Sequence, residues 1–425
     1  MITPSFGLTA TERVLPKLAL DFTTASLDSR ITFTRTTDAT HPATYVNSSG
    51  YVTAATNNQP RFDYDPVTLA CKGLLIEESR ANLLTYSNGF ENTTPWPQTN
   101  VTVSSAAATS PDGTNNACKI EETSANGTHG LVTASISFTQ NVANTFSVYA
   151  KKGERNIITL AVAGVSGVSF NLATGASGST FTNANWSTPT YSITDCGNGF
   201  YRCTATFTRL ATTTSTTIYL NLSDNASSLP TSIDSYVGTT GYGVYVYGAQ
   251  LEVGAFPTSY IPTTTAALTR NADVATMTGT NFSDWFNASE GTFAAEFQLQ
   301  STSQVSISML SANAGSINNR YEIGLRSTGT NVSVVTTSSA TVAILDFGAP
   351  TTAITNQTLA YKENSFAGAK NGGTVSTDTA GALPTVNSLN IGSRANDAFC
   401  NGWLRAVNYW PLRVTNSEAQ AFSKG

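Results

Sequence analysis

Apolar and polar residues alternate in short runs along most of this chain, and Gly, Pro, Asn and Ser interrupt the runs roughly every 8 to 12 positions. Period two is that of a half-buried strand, so the pattern predicts an all-β protein built from sandwiches. Leu18 to Phe22 and Ile31 to Arg35 read as the first strands, and Tyr45-Val46 and Tyr51-Val52 flank an Asn47 to Gly50 turn. Thr145 to Ala150 is the clearest strand, ended by Lys151-Lys152-Gly153. Ile157 to Val162, Val168 to Phe170, Tyr201 to Phe207, Ile218 to Leu220 and Val244 to Tyr247 continue the series. Thr263 to Leu268 after Pro262 reads as a linker. Beyond it the pattern predicts one helical turn over Asn281 to Phe286, then strands at Gly291 to Phe297, Tyr321 to Leu325, Val332 to Val335 and Val342 to Leu345. Asn371-Gly372 is a hairpin signal, and Thr415-x-x-Glu418 a capping box for a last short helix.

One stretch departs from this rhythm. Leu74-Leu75-Ile76 reads as a strand buried on both faces, and Glu77, Glu78, Arg80 and Asn82 separate it from Leu83-Leu84. Charges between two apolar runs predict a tight turn held by charge-assisted hydrogen bonds. Adjacent strand residues point to opposite faces, so Glu77 and Glu78 do not form a catalytic pair.

Composition narrows the function classes. At 425 residues the chain has room for two or three domains. A net charge of −5, with 12% charged residues, leaves no basic stripe for nucleic acid. Hydrophobic and aromatic contents of 40% and 10% favour packed β-structure over disorder. No apolar run approaches the length of a membrane span, and the opening MITPSFGLTATERV lacks a signal-peptide pattern, which predicts cytosolic synthesis followed by assembly. Five scattered cysteines form neither a zinc pattern nor a disulfide framework. Cys196 and Cys203 flank Gly197-Asn198-Gly199, which leaves a cross-hairpin disulfide open.

The chemistry points to binding. His41 and His129 sit in polar surroundings without a Ser or Cys motif and read as surface residues. Metalloprotease, P-loop, dinucleotide-binding and EF-hand motifs are all missing, and no motif demands a cofactor. Sugars present C–H faces rimmed by hydroxyls and need aromatic rings with amide, carboxylate or guanidinium partners. Trp96, Trp186 and Tyr201 are the candidate ligand-binding platforms, each with a core aromatic as the plainer reading, whereas Trp403 and Trp410 read as core.

FDYDPVT-x₃-KGLLIEESRANLL, followed much later by YGAQLE at 247–252 and FPTSYIPT at 256–263, resembles bacteriophage and prophage tail or virion-surface proteins. SVYAKKG, GNGFYRCTATF and VYGAQLEVGAFPTSYIPT together resemble jelly-roll carbohydrate-binding modules, and the segments from Leu359 to Val407 resemble concanavalin A-like sandwiches of the laminin G or pentraxin type. The resemblance implies an N-terminal virion-attachment region (1–85), a jelly-roll β-sandwich (86–264) and a concanavalin A-like β-sandwich (265–425). It implies a tail or capsid fibre protein and glycan adhesin on the virion, with other virion proteins and host-surface glycan as partners and a homo-trimer as the expected assembly. It also raises a structural calcium ion, for which Asp112, Glu121, Glu122 and Glu252 are available in the middle module, although no ligand spacing requires it. The alternatives are a glycan depolymerase, which needs two carboxylates in one groove, and a structural spacer that binds nothing.

Overall fold

In the computed structural model, which describes residues 15–36, 43–225, 228–395 and 397–425, the strand pattern is realised as two β-sandwiches with antiparallel ladders. Ile157–Val162 is a strand with the bounds that its apolar run predicts, and it is buried along its whole length because it lies inside a six-stranded sheet. That sheet and a second six-stranded sheet, centred on Ala143–Lys152 and Gly243–Val253, enclose one core around Ile120, Phe146, Ile158 and Leu220. This is the expected middle sandwich.

The other sandwich is assembled from both ends of the chain. Its eight-stranded sheet runs Ser376–Asp378, Ser365–Gly368, Thr355–Lys362, Glu290–Leu299, Gly402–Trp410, Cys71–Ile76 and Phe62–Tyr64, with Leu18–Asp21 also paired to Gly402–Trp410. Its seven-stranded partner begins with Thr32–Thr34 beside Val274–Thr278 and ends at Ala340–Asp346. Leu18, Leu20, Phe22, Leu74 and Ile76 share one buried core with Phe293, Met309, Tyr361 and Tyr409. The division at residue 85 therefore does not describe this structure. Leu18–Asp21, Thr32–Thr34, Phe62–Tyr64 and Cys71–Ile76 are strands of the C-terminal sandwich, and the middle sandwich is an insertion into it. The physical reason is register: Leu74, Leu75 and Ile76 face Leu404, Trp403 and Gly402 across the ladder, so this strand is buried only when the C-terminal strand is beside it. The expected linker contributes to a short stem, in which Leu268–Arg270 pairs with Arg80–Asn82 where the chain leaves and re-enters the sandwich.

Local signals hold at the predicted places. Asn371 and Gly372 both adopt positive φ, and the Gly373 N–H closes the turn onto the Lys370 carbonyl at 2.8 Å. Thr415 and Glu418 form a reciprocal capping box at the start of the helix Asn416–Phe422. The predicted helical turn is Thr280–Ser283. Cys196 and Cys203 are both free thiols, because the hairpin register sets Cys203 opposite Ile193.

The turn after Ile76 is held by charge as expected. Arg80 Nε donates to Glu78 Oε1 at 2.5 Å, Arg80 Nη1 donates to the Val253 carbonyl of the insertion, and the guanidinium lies 5.0 Å from the Phe256 ring centroid. Arg80→Ala is expected to cost about 1–3 kcal/mol by removing the charge-assisted bonds and the ring contact that tie this turn to the insertion. A urea midpoint equal to that of the wild type would contradict this.

Candidate functional site

The two motif stretches lie about 170 residues apart in sequence but meet in space. Asn82, fully buried, donates from Nδ2 to the Ala249 and Ile261 carbonyls at 3.1 and 2.9 Å and accepts from the Leu251 N–H at 3.1 Å. Gln250 Oε1 accepts from the Ile261 N–H at 2.6 Å, and Glu252 accepts from the Thr258 N–H and hydroxyl. Ser259 donates its N–H and its hydroxyl to the two oxygens of Glu77, each at 2.7 Å. These bonds pin the Thr258–Ile261 segment of the insertion onto the sandwich. The motifs are thus the joint between the two bodies, and they build one wall of a cleft.

Beneath that joint is a buried ionic cluster. Arg61 bridges Glu77 Oε2 at 2.8 Å and Asp273, Arg35 Nη1 reaches Asp273 Oδ1 at 2.7 Å, and Arg270 lies 3.5 Å from Glu77 Oε2. All five side chains are sealed from solvent. Burial pushes the Glu77 carboxyl upward, but Arg270, Arg61 and hydrogen bonds from Ser259 and Gln300 outweigh it and hold the group well below the usual carboxylate range. Glu77 is therefore a structural anion.

The cleft between the sandwiches encloses about 230 Å³. Tyr64 and Trp403 come from the C-terminal sandwich, Tyr45 from the two-stranded hairpin Ala43–Val46/Val52–Ala55, and Tyr149, Arg202 and Tyr260 from the insertion. Trp403 is half-buried. Its Nε1 donates to Asp63 Oδ2 at 2.9 Å, and the Lys72 ammonium rests 3.1 Å from its ring centroid. Burial raises the Asp63 carboxyl and lowers Lys72, and each is partly offset by the other's charge. Arg202 donates to Ser147 Oγ and the Thr258 carbonyl at 3.0 and 2.8 Å, while its Nε and the Oε1 of Gln300 keep unused hydrogen-bonding capacity. A second cavity of about 210 Å³ adjoins the first and shares Ser192, Thr204, Pro257 and Gln300 with it, so the two form one elongated groove. Burial pushes Tyr149 and the Cys196 thiol each up to about 12, so near neutral pH the phenol is a neutral hydrogen-bonding group and the thiol is no nucleophile.

No protein-family model matches the sequence, and no curated protein matches it. Similar solved structures include the CBM40 of the Ruminococcus gnavus IT-sialidase, 13% identical over 32% of this chain and 84% of that one, with a TM-score of 0.28. The Streptococcus pneumoniae NanB sialidase is 11% identical over 35% of this chain and 26% of that one, at 0.29. A heptameric SAP-like pentraxin from Limulus polyphemus is 10% identical over 31% and 69%, at 0.25. At such scores nothing transfers from those proteins to this chain, and the function rests on its own residues.

The residues singled out from sequence are placed differently. Trp96 is in the core of the insertion, 4.9 Å from Phe90, with Nε1 bonded to the Tyr86 carbonyl. Trp186 is equally buried, edge-on to Phe138. Neither ring has a face free for sugar, because each fills space between the two sheets. Tyr201 is half-buried against the same core, and none of the three lines the cleft. Trp410 is core as expected, but Trp403 is a cleft residue: alternation identified its strand without showing what covers each face. His129 corrects the surface reading, since it is fully buried and stacked on Tyr236 with centroids 4.5 Å apart. His41 and the opening 14 residues lie outside the described residues.

The four carboxylates considered for calcium have separate commitments. Asp112 holds the Ser110–Asn116 turn, Glu121 accepts from Ser104, Glu122 pairs with Arg155 and Tyr236, and Glu252 is bound by Thr258. Among the described residues no three histidine, cysteine or acidic groups converge to hold a metal. No helix among the described residues is long and apolar enough to cross a membrane.

Proposed function

We propose that the protein is a glycan-binding adhesin whose saccharide site is the groove between the two sandwiches. The observation that carries this reading is the joint lining of one cleft by Trp403, Tyr149 and Tyr260 together with Arg202, Gln300 and Ser192. Aromatic rings take the C–H face of a pyranose, and the guanidinium, amide and hydroxyl groups take its rim. The elongated outline suits several linked sugar units. The motif resemblance supports display on a phage virion as a tail or capsid fibre component that contacts host-surface glycan, with other virion proteins as neighbours and a trimer as its assembly. Catalysis is disfavoured by the donor set: among the described residues lining the cleft Asp63 is the one carboxylate, and hydrolysis of a glycosidic bond calls for two.

Ser192 is exposed on the segment common to both cavities, so Ser192→Trp fills the groove without removing a buried contact. On an array of host-surface glycans this variant is expected to lose about tenfold or more in affinity while melting like the wild type. Unchanged binding by Ser192→Trp would move the site elsewhere. An array on which the wild type binds nothing supports the spacer. Steady appearance of new reducing ends from host polysaccharide, abolished by replacing a single acid, supports the depolymerase.

A further inference from the structure

We infer that the C-terminal sandwich carries a second, separate site, for a single carboxylate-bearing sugar, on the outer face of its seven-stranded sheet. In the strand Arg320–Leu325, Tyr321, Ile323 and Leu325 point into the core, so Arg320, Glu322 and Gly324 point out. They pair with Thr336, Val334 and Val332 of the neighbouring strand. Val332 and Val334 are buried although they lie on this outer face, because arginine side chains wall them in. The result is a depression of about 180 Å³ with a valine floor and walls of Arg320, Arg326 and Arg394.

Its charge is unbalanced. Glu322, 5% exposed, accepts from Arg320 Nε at 2.6 Å and lies 3.9 Å from Arg394 Nη1. Arg394 Nε also reaches Asp397 Oδ1 at 3.2 Å on the rim. Three guanidinium groups thus face two carboxylates, and the side chain of Arg326 has no partner among the described residues. A guanidinium stays charged at any physiological pH and presents a planar fork that matches a carboxylate. Ser327 and Thr341 add hydroxyls at the mouth. An inorganic anion would use the fork but not the valines. A uronate-type sugar uses the fork for its carboxylate, the valines for its C–H face and the hydroxyls for its rim. The volume holds one such ring and no chain of them. The site shares no lining residue with the groove between the sandwiches, so it stands whether or not that groove binds glycan.

The test is saturation-transfer NMR on the full chain with D-glucuronate and D-glucose, which differ at C6 alone. Glucuronate is expected to bind about tenfold more tightly than glucose at low salt and to weaken as salt rises. Arg326→Glu should abolish the preference, and Arg326→Gln, which keeps much of the side-chain stem, should reduce it to that of the neutral sugar. Ser192→Trp should leave it intact. Equal binding of the two sugars, unchanged glucuronate affinity in Arg326→Glu with a native melting curve, or loss of glucuronate in Ser192→Trp would each overturn the assignment.

Discussion

Glu77→Ala is expected to lower global stability by about 3–5 kcal/mol, because it strips a buried cluster of one of its two carboxylates and leaves Arg61 and Arg270 facing each other in a sealed interior. The loss reaches beyond one sandwich. Glu77 also receives Ser259 from the insertion and Gln300 from the cleft wall, so the variant should weaken glycan binding as well. Equilibrium unfolding in urea measures the first effect, and a midpoint within error of the wild type would contradict it. The pH dependence has a definite sign. The Glu77 carboxyl sits below its unfolded value of 4.5, so its contribution is complete above that pH and is lost as pH falls towards the depressed folded value. The stability gap between wild type and Glu77→Gln should therefore be constant near neutrality and shrink below about pH 4.5. A gap that widens on acidification would mean that Glu77 is protonated in the native state.

A fragment beginning at Tyr86 should fail to form the C-terminal sandwich. From sequence alone this fragment is expected to hold both binding modules, but it lacks Leu18–Asp21, Thr32–Thr34, Phe62–Tyr64 and Cys71–Ile76, which are strands of that sandwich. Removing Leu18, Leu20, Phe22, Leu74 and Ile76 from the shared core forfeits on the order of 10 kcal/mol, as much as a whole domain's net stability. It also strands Arg270 and Asp273 without Arg35, Arg61 and Glu77. Residues 83–264 alone should fold, since their ends lie together: the Tyr86 N–H reaches the Thr264 carbonyl at 2.5 Å, and the Ser87 N–H reaches that of Thr263 at 3.2 Å. Calorimetry distinguishes the two. The short fragment should show one cooperative transition, and the long one that same transition and no other. A second transition matching the full chain would show the N-terminal strands to be dispensable.

What the sequence made legible was local. The strand Ile157–Val162, the Asn371-Gly372 turn and the Thr415–Glu418 cap each depend on neighbours a few positions away, and each is where the pattern put it. The charged turn after Ile76 was legible as structural, though its partners Arg35, Arg61, Arg270 and Asp273 were not, because they come from three other parts of the chain. Strand partnership was hidden for the same reason: nothing in KGLLIEE says that its neighbour is the run GWLRAVNYW more than 300 residues on. The site was the least legible part. A tryptophan looks the same in a sequence whether it fills a core, as Trp96 does, or lines a cleft, as Trp403 does. The available signal was the pair of long motifs, which mark where the two bodies meet.

The stem that joins insertion to sandwich also bears on how the chain reaches its native state. Between Asn82 and Leu268 about 185 residues intervene, and as an unstructured loop they would make closure of the sandwich costlier than a four-residue turn by roughly 3 kcal/mol of chain entropy. Once the insertion has folded, its ends are already side by side, and to the sandwich it behaves as a tight turn. Folding of the middle of the chain is thereby favoured before its ends, although the N-terminal strands are the first to be synthesised and must wait for partners that arrive last.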